Sequence, residues 1–221
     1  HDRFGHRIDR VEFNAAYHAV MGTAVAHGVA GLSWAEPAAG AHVARAALAY
    51  LHYQAEPGSS CPLTMTHAAV PVLRHEPALR AWMDKAVAPH YDGRDVPLAH
   101  KRGATLGMGM TEKQGGSDVR SNTTRATPLA GGDGYSLVGH KWFFSAPMSD
   151  AFLVLAQAPG GLGCFLLPRW RPDGERNALR LVRLKDKLGD WSNASSEVEF
   201  EGAWAARIGE EGRCIATILE M

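Results

Sequence analysis

Apolar residues recur at helical spacing through the first hundred positions of the chain. Two stripes have members three or four residues apart, as on one face of an α-helix: Phe13, Tyr17, Val20, Met21 and Ala24, and then Val43, Ala46, Ala47, Tyr50 and Leu51. Apolar segments at 63–73 and 77–87 predict a third and a fourth helix, and the proline at position 77 suits a helix start. We expect all four helices to face a hydrophobic core.

Beyond residue 104 the pattern changes to short apolar runs separated by turns. The stretch 104–110 alternates apolar residues with Thr105, Gly107 and Gly109, which is the period of a half-buried strand. Later runs, with a turn signal at Asp133-Gly134, predict an antiparallel β-barrel or sandwich; they occupy 137–138, 152–155, 164–167, 179–184 and 198–200.

Helical spacing returns over 208–221, where the chain stops in an apolar run. Because such a stripe needs partner helices, we expect a fragment of a longer protein. The predicted fold class is α+β. It has a helical N-terminal domain over 1–103, a β-barrel middle domain over 104–203 and the truncated start of a C-terminal helical domain over 204–221.

Charge and composition exclude several classes of function. The 23 basic and 23 acidic residues give a net charge of zero, so no overall field attracts nucleic acid or an anionic membrane. The basic residues of 169–187 are mixed with acidic ones and predict a solvated face. No run of 18 apolar residues and no secretion signal is present, so we expect a cytoplasmic protein. Cys61, Cys164 and Cys214 are far apart, which disfavours disulfides and a zinc site.

The first motif with chemical content runs from Met108 to Asp118 and reads Met-Gly-Met-Thr-Glu-Lys-Gln-Gly-Gly-Ser-Asp. Its glycines, Gly115 and Gly116, permit positive φ and let the backbone approach a ligand closely. The hydroxyl of Thr111 follows the predicted strand, at the edge of such a ligand. A turn of this composition also forms simply by capping its own backbone, so this motif is not decisive by itself.

The second motif is Gly-His-Lys-Trp-Phe-Phe-Ser at 139–145. Phe143 and Phe144 offer an aromatic wall, and Ser145 offers a hydroxyl for the redox-active nitrogen of a flavin ring. The alternative is that these aromatic residues belong to the core. Together, the polar glycine-containing loop of the first motif and the aromatic residues of the second favour a flavin site.

Both motifs resemble those of the acyl-CoA dehydrogenase family. The segment from Thr111 to Asp118 is similar to Thr-Glu-Pro, two residues, Gly-Ser-Asp, and Lys141-Trp-Phe-Phe-Ser145 is similar to Lys, any residue, Trp-Ile-Thr/Ser. The segments 183–189 and 197–200 resemble the end of that family's middle domain. The segments Glu-Lys-Gln-Gly-Gly-Ser-Asp-Val and Pro62-Leu-Thr-Met-Thr66 are similar to the AidB-type branch, bacterial flavoproteins associated with the adaptive response to DNA alkylation.

The resemblance implies a set of residues that bind FAD. The backbone and hydroxyl of the first motif would hold the pyrimidine edge, the glycine and serine of its turn would approach the diphosphate, and the second motif would line the ring. These residues are Met108, Gly109, Met110 and Thr111, then Gly116 and Ser117, then Phe143, Phe144 and Ser145. Three positions depart from the family pattern: Lys113 replaces Pro, Phe143 replaces Trp, and Trp191 stands where Arg is usual.

The resemblance also implies an activity and partners. The family oxidises the CH–CH bond of acyl-CoA thioesters, with a catalytic carboxylate from the C-terminal domain, so we assign no catalytic residue here. Glu112 is expected to be a structural pair or cap. A homotetramer is implied as well. The alternative is a flavoprotein of the alkylation response with little ordinary acyl-CoA activity, bound to double-stranded DNA through the missing C-terminal part.

Overall fold

The computed structural model describes residues 1–132 and 134–212. The first part is helical, and the helices are α1 Ala15–Ala26, α2 Leu32–Ala35, α3 Ala41–Ala55, α4 Ser60–Arg74 and α5 Arg80–Ala86. Asn14 begins α1 because its side chain accepts a hydrogen bond from the amide of Ala16. The predicted helix at 63–73 is confirmed as α4. The segment predicted at 77–87 forms a 3₁₀ turn, Pro77–Leu79, followed by α5.

Helix α4 joins the helical part to the strands. Seven of its residues are buried, and among them Val70 and Leu73 share one hydrophobic cluster with Leu106 and Leu153 from the strands. The hydroxyl of Thr66 accepts a hydrogen bond from the amide of Leu106 at 2.9 Å. The start of the first strand is therefore fixed directly against α4.

The apolar stripe of α3 is exposed, so the prediction that it faces a core is wrong for the described residues. No residue of α3 is buried, and Val43 and Tyr50 are 74% and 70% exposed. Arg45 turns inward and donates to the carbonyl of Val29. Periodicity identified a helix with an apolar face, but it does not say whether a partner for that face lies within the same stretch of chain.

Within the described residues, seven strands build the barrel: β1 Leu106–Gly109, β2 Arg125–Pro128, β3 Tyr135–Ser145, β4 Ala151–Ala158, β5 Gly161–Pro168, β6 Leu179–Leu184 and β7 Ser195–Ile208. Pairings run in the order β4, β2, β3, β7, β5 and back to β4, while β1 adds to β4 and β6 adds to β7. The predicted barrel is confirmed. It differs from the expectation in that β1 and β2 pair with β4 in parallel.

The last strand continues past the predicted domain boundary at residue 203, since β7 ends at Ile208. Residues 213–221, which carry most of the predicted C-terminal helix and Cys214, lie outside the described residues, as does Asp133. Over the described ranges, no helix is both long and apolar enough to cross a membrane. The same ranges contain no group of His, Cys, Asp and Glu side chains arranged for a metal ion.

Candidate functional site

The two predicted motifs lie side by side in the structure. The amide of Trp142 donates to the carbonyl of Thr111 at 2.8 Å, which ties the end of the first motif to β3. Glycines in β1 allow this close approach, because a Cβ on Gly107 would lie 2.5 Å from the Phe152 ring and 3.2 Å from the carbonyl oxygen of Ser145. The residues from Met108 to Thr111 therefore lie beside those from Trp142 to Ser145, and the side of these two segments that faces solvent is the candidate surface.

A β-bulge in β3 decides which aromatic ring reaches that surface. The register with β7 shifts between Lys141 and Phe144, and both of these side chains are fully buried. Trp142 and Phe143 lie between them on the outer side, and Phe143 is 50% exposed. A bulge places two residues of one strand opposite one residue of its partner, which breaks the simple alternation of faces.

The prediction that Phe144 lines a bound ring is corrected by this geometry. Its ring is 4.2 Å from that of Phe152 and 6.1 Å from that of Phe200, centroid to centroid, inside the barrel core. A Cβ on Gly109 would lie 2.5 Å from the same ring. Phe144 thus supports β1 from beneath, and Phe143 is the ring available to a ligand.

The Gly-Gly turn of the first motif lies against Thr111. A Cβ on Gly116 would approach the Thr111 Oγ1 atom to 2.9 Å, while Gly115 has a φ of +107° and open space around it. Ser117 is exposed in the short 3₁₀ turn Gly116–Ser121. The backbone of this turn is therefore open to a ligand that extends from Thr111 toward Ser117.

Two residues that the sequence reasoning did not select hold the first motif in shape. Asn122 donates from Nδ2 to the carbonyl of Met110 at 2.9 Å. Gln114 donates from Nε2 to the Asn122 side chain at 2.8 Å. Both are amide residues within or just after the polar loop. The Asn122 side chain is buried there, and a buried amide needs hydrogen-bond partners of this kind.

Glu112 is buried and hydrogen-bonded on both oxygens. It accepts from the amides and hydroxyls of Thr123 and Thr124 at 2.6 to 3.0 Å, and Lys141 Nζ lies 2.8 Å from Oε1. Burial opposes ionisation, but these hydrogen bonds outweigh it and lower the pKa of Glu112 to about 2. Burial also lowers the pKa of Lys141, against the effect of the pair. The expectation that Glu112 is a structural pair and cap is confirmed.

A positive side chain lies over the outer aromatic residues. Lys185 Nζ is 3.3 Å from the ring centroid of Trp142 and 4.9 Å from that of Phe143. Glu197 anchors the same ammonium at 2.6 Å. Cation–π contacts of this kind contribute about 0.5–1 kcal/mol at exposed sites, so they restrain both rings on the surface.

Polar side chains cluster beneath Ser145. Its Oγ lies 3.3 Å from the Oγ of Ser195, and the Cys61 thiol interacts with Ser145 and with Asn193. Burial raises the pKa of this thiol. The loop that carries Asn193 also exposes Trp191, which is 76% exposed, so the aromatic side chain at the position of the usual Arg lies in solvent.

Comparison with known proteins identifies the family. The profile of the adaptive response protein AidB N-terminal domain matches residues 1–93, and the profile of the acyl-CoA dehydrogenase middle domain matches residues 107–203. The chain is 55% identical to AidB of Escherichia coli (strain K12) over 224 residues, which cover 100% of this chain and 41% of that protein. The chain thus spans less than half of the length of this relative.

Solved structures agree with this assignment. The crystal structure of Caenorhabditis elegans ACDH-11 in complex with C11-CoA matches with a TM-score of 0.84 and 28% identity, over 99% of this chain and 38% of that chain. An acyl-CoA dehydrogenase complexed with FAD from Bacillus anthracis shares the fold, with a TM-score of 0.71 and 18% identity over 92% of this chain and 34% of that chain. The chain therefore belongs to the acyl-CoA dehydrogenase family, in the branch defined by the AidB N-terminal domain.

Proposed function

We propose that this chain forms the FAD-binding part of an oxidoreductase that acts on acyl-CoA thioesters. The observation that carries the proposal is the approach of the first motif to β3, where the Trp142 amide donates to the Thr111 carbonyl, with Phe143 and Ser145 following on the same strand. The candidate surface combines a polar edge, an exposed aromatic ring and a hydroxyl, which are the groups that hold and tune a flavin.

The fit to FAD is supported by how closely the backbone can be approached. A side chain at Gly116 would collide with Thr111, so the turn is built without one and leaves its backbone accessible. In the proposed site the backbone of Met108, Gly109 and Met110, with Thr111, holds the pyrimidine edge of the cofactor. Gly116 and Ser117 follow its diphosphate.

When bound, FAD supplies the chemistry of hydride acceptance, and the described residues orient it and shield it. Phe143 covers one part of the ring, and Ser145 provides a hydrogen bond to its edge. Glu112 does not act as the base that removes a substrate proton, because both of its oxygens are engaged and its low pKa makes it a poor proton acceptor. We therefore place the catalytic base outside the described residues.

The substrate class is supported by the relatives. The C. elegans protein was solved in complex with C11-CoA, and the B. anthracis dehydrogenase was solved in complex with FAD. We extend both ligands to this chain as one proposal, in which a CoA thioester is oxidised and FAD accepts the electrons. A homotetramer in the cytoplasm is part of the proposal, and light scattering of the purified protein tests the assembly.

A second candidate is a DNA-associated flavoprotein of the alkylation response, supported by the match to the AidB N-terminal domain. The basic residues singled out in 169–187 give it little support. Arg180 pairs with Glu201 at 2.5 Å, and Arg183 pairs with Glu197 at 2.7 Å. Arginines already paired with carboxylates have little charge left for phosphates, so this candidate needs a DNA surface outside the described residues.

The visible absorption spectrum of the purified full-length protein tests the proposal. We expect flavin bands that bleach when one member of an acyl-CoA panel is added without oxygen. Flavin bands that persist with every acyl-CoA favour the second candidate, which strongly salt-dependent DNA binding would support. A colourless protein that does not take up added FAD refutes both. Gly116→Val is the matched variant, and we expect it to lose FAD while it remains folded.

A further inference from the structure

The hydroxyl of Ser145 belongs to a short line of polar groups beneath the proposed flavin surface. Ser145 and Ser195 are directly paired in the ladder between β3 and β7, and their Oγ atoms are 3.3 Å apart. Ser195 is 5% exposed. The ammonium of Lys187 donates to its Oγ at 3.4 Å. Because strand register sets the distance between the two serines, their proximity does not depend on a loop.

The ammonium of Lys187 is held in place by the loop that contains it. It donates to the carbonyl of Asp190 at 2.8 Å and to that of Asn193 at 2.5 Å. Ser195 is the third acceptor. An ammonium has three N–H donors and no acceptor, so these three contacts account for its full capacity.

That chemistry fixes the direction of one hydrogen bond in this line. Since Lys187 can only donate, the Ser195 oxygen accepts from it. Either hydroxyl can donate in the contact between Ser195 and Ser145. Where Ser195 donates, Ser145 accepts this bond and keeps its own proton for a group on the outer surface. Cys61 contacts the same hydroxyl from α4, and a thiol is at most a weak donor or acceptor there.

We propose that Ser195 and Lys187 are positioning residues that fix Ser145 as a hydrogen-bond donor toward bound FAD and so favour the oxidised cofactor. This inference rests on the proposed function. The redox-active ring nitrogen accepts a hydrogen bond in oxidised flavin and carries a hydrogen in reduced flavin. A hydroxyl that is held as a donor therefore suits the oxidised form and opposes the reduced one.

Ser195→Ala in the FAD-loaded, full-length protein tests the inference. Without the Ser195 proton, Ser145 is free to turn and accept from reduced flavin. We expect the affinity for reduced FAD to rise about fivefold relative to that for oxidised FAD, the worth of one hydrogen bond, and the reduction potential to become more positive. Ser195→Thr keeps the hydroxyl and should restore the wild-type potential.

Ser196→Ala is the matched control. Ser196 is the next residue, is also buried, and donates to the carbonyl of Phe144 at 3.1 Å. We expect this variant to lower stability and leave the potential unchanged. Lys187→Met removes a charge as well as a hydrogen-bond donor. Its effect on the reduction potential is therefore measured twice, once in the wild-type background and once in the Ser195→Ala background. The difference between these two changes in potential isolates the contribution that Lys187 makes through Ser195.

The outcomes separate the inference from the proposed function. An unchanged potential in Ser195→Ala, with FAD bound and with Ser145→Ala still shifting the potential, overturns the inference alone. An equal shift in Ser196→Ala also overturns it, because general loosening of β7 would then explain both. A wild-type protein that binds no FAD refutes the proposed function itself.

Discussion

Glu112 and Lys141 form an ion pair of 2.8 Å in which neither side chain is exposed to solvent. Glu112 belongs to the loop after β1, and Lys141 belongs to β3, so the pair joins the two motifs of the proposed site from inside. Removing one partner of such a pair leaves an uncompensated buried charge, which is far more costly than the pair itself is stabilising.

Lys141→Met should therefore destabilise the protein strongly. We expect the free energy of unfolding to fall by about 3–5 kcal/mol, because Glu112 keeps its charge and loses its cation. Urea denaturation measures the change. Asp84→Asn is the control, since it breaks the exposed pair between Arg80 and Asp84 and should cost less than about 1 kcal/mol. Equal losses in the two variants would show that the buried pair has no special role.

The same carboxylate should contribute to acid unfolding. The folded-state pKa of Glu112, lowered to about 2 from its ordinary 4.5, means that its stabilisation is complete above about pH 4.5. That stabilisation is lost as the pH falls toward 2. Glu112→Gln should consequently show a shallower fall of the unfolding free energy between pH 4.5 and 2. Identical slopes for the variant and the wild type would contradict the assignment.

Phe143 and Phe144 are adjacent but should respond in opposite ways to truncation. Phe143→Ala removes an exposed ring, so we expect FAD affinity to fall about three- to tenfold and stability to change little. Phe144→Ala opens the barrel core and should cost about 3–5 kcal/mol of unfolding free energy. Flavin fluorescence titration and urea denaturation together separate the two. A reversed pattern would contradict the assignment of Phe143 to the ligand side of β3 and of Phe144 to the core.

Gly109 and Phe144 should be energetically coupled. A Cβ at position 109 would lie 2.5 Å from the Phe144 ring, and overpacking of this kind costs about 1–3 kcal/mol. Phe144→Leu makes room for that methyl group. In a double-mutant cycle we expect Gly109→Ala with Phe144→Leu to be less destabilising than the two single losses added together. Strict additivity would show that the collision is relieved elsewhere.

Local patterns in the sequence predict some parts of this molecule well. The apolar spacing at 63–73 predicts α4, and the alternation at 104–110 predicts β1, because both elements bury a face whose period is set by the backbone itself. The structural role of Glu112 also follows from its motif. The mutual approach of the two motifs is indicated by the family resemblance, since no local pattern fixes a contact between β1 and β3.

The remaining features depend on partners that are distant in the chain. The alternation of inward and outward side chains along β3 is interrupted before Phe144, because a bulge in β3 shifts its register with β7. The apolar stripe of α3 does not become part of a core, because it has no partner among the described residues. The line from Lys187 through Ser195 to Ser145 is equally invisible in the sequence, since it exists only once β3 and β7 are paired.

The parallel pairings of β4 have a consequence for the order of folding. Leu106 to Gly109 pair with Ala151 to Val154, a contact that closes a loop of more than forty residues, whereas β4 and β5 are joined by a short turn. Closing long loops is entropically slow, and local hairpins form first. We therefore expect β1, with the first motif attached to it, to be added late, so that the cofactor meets a nearly complete barrel and its capture marks the end of folding.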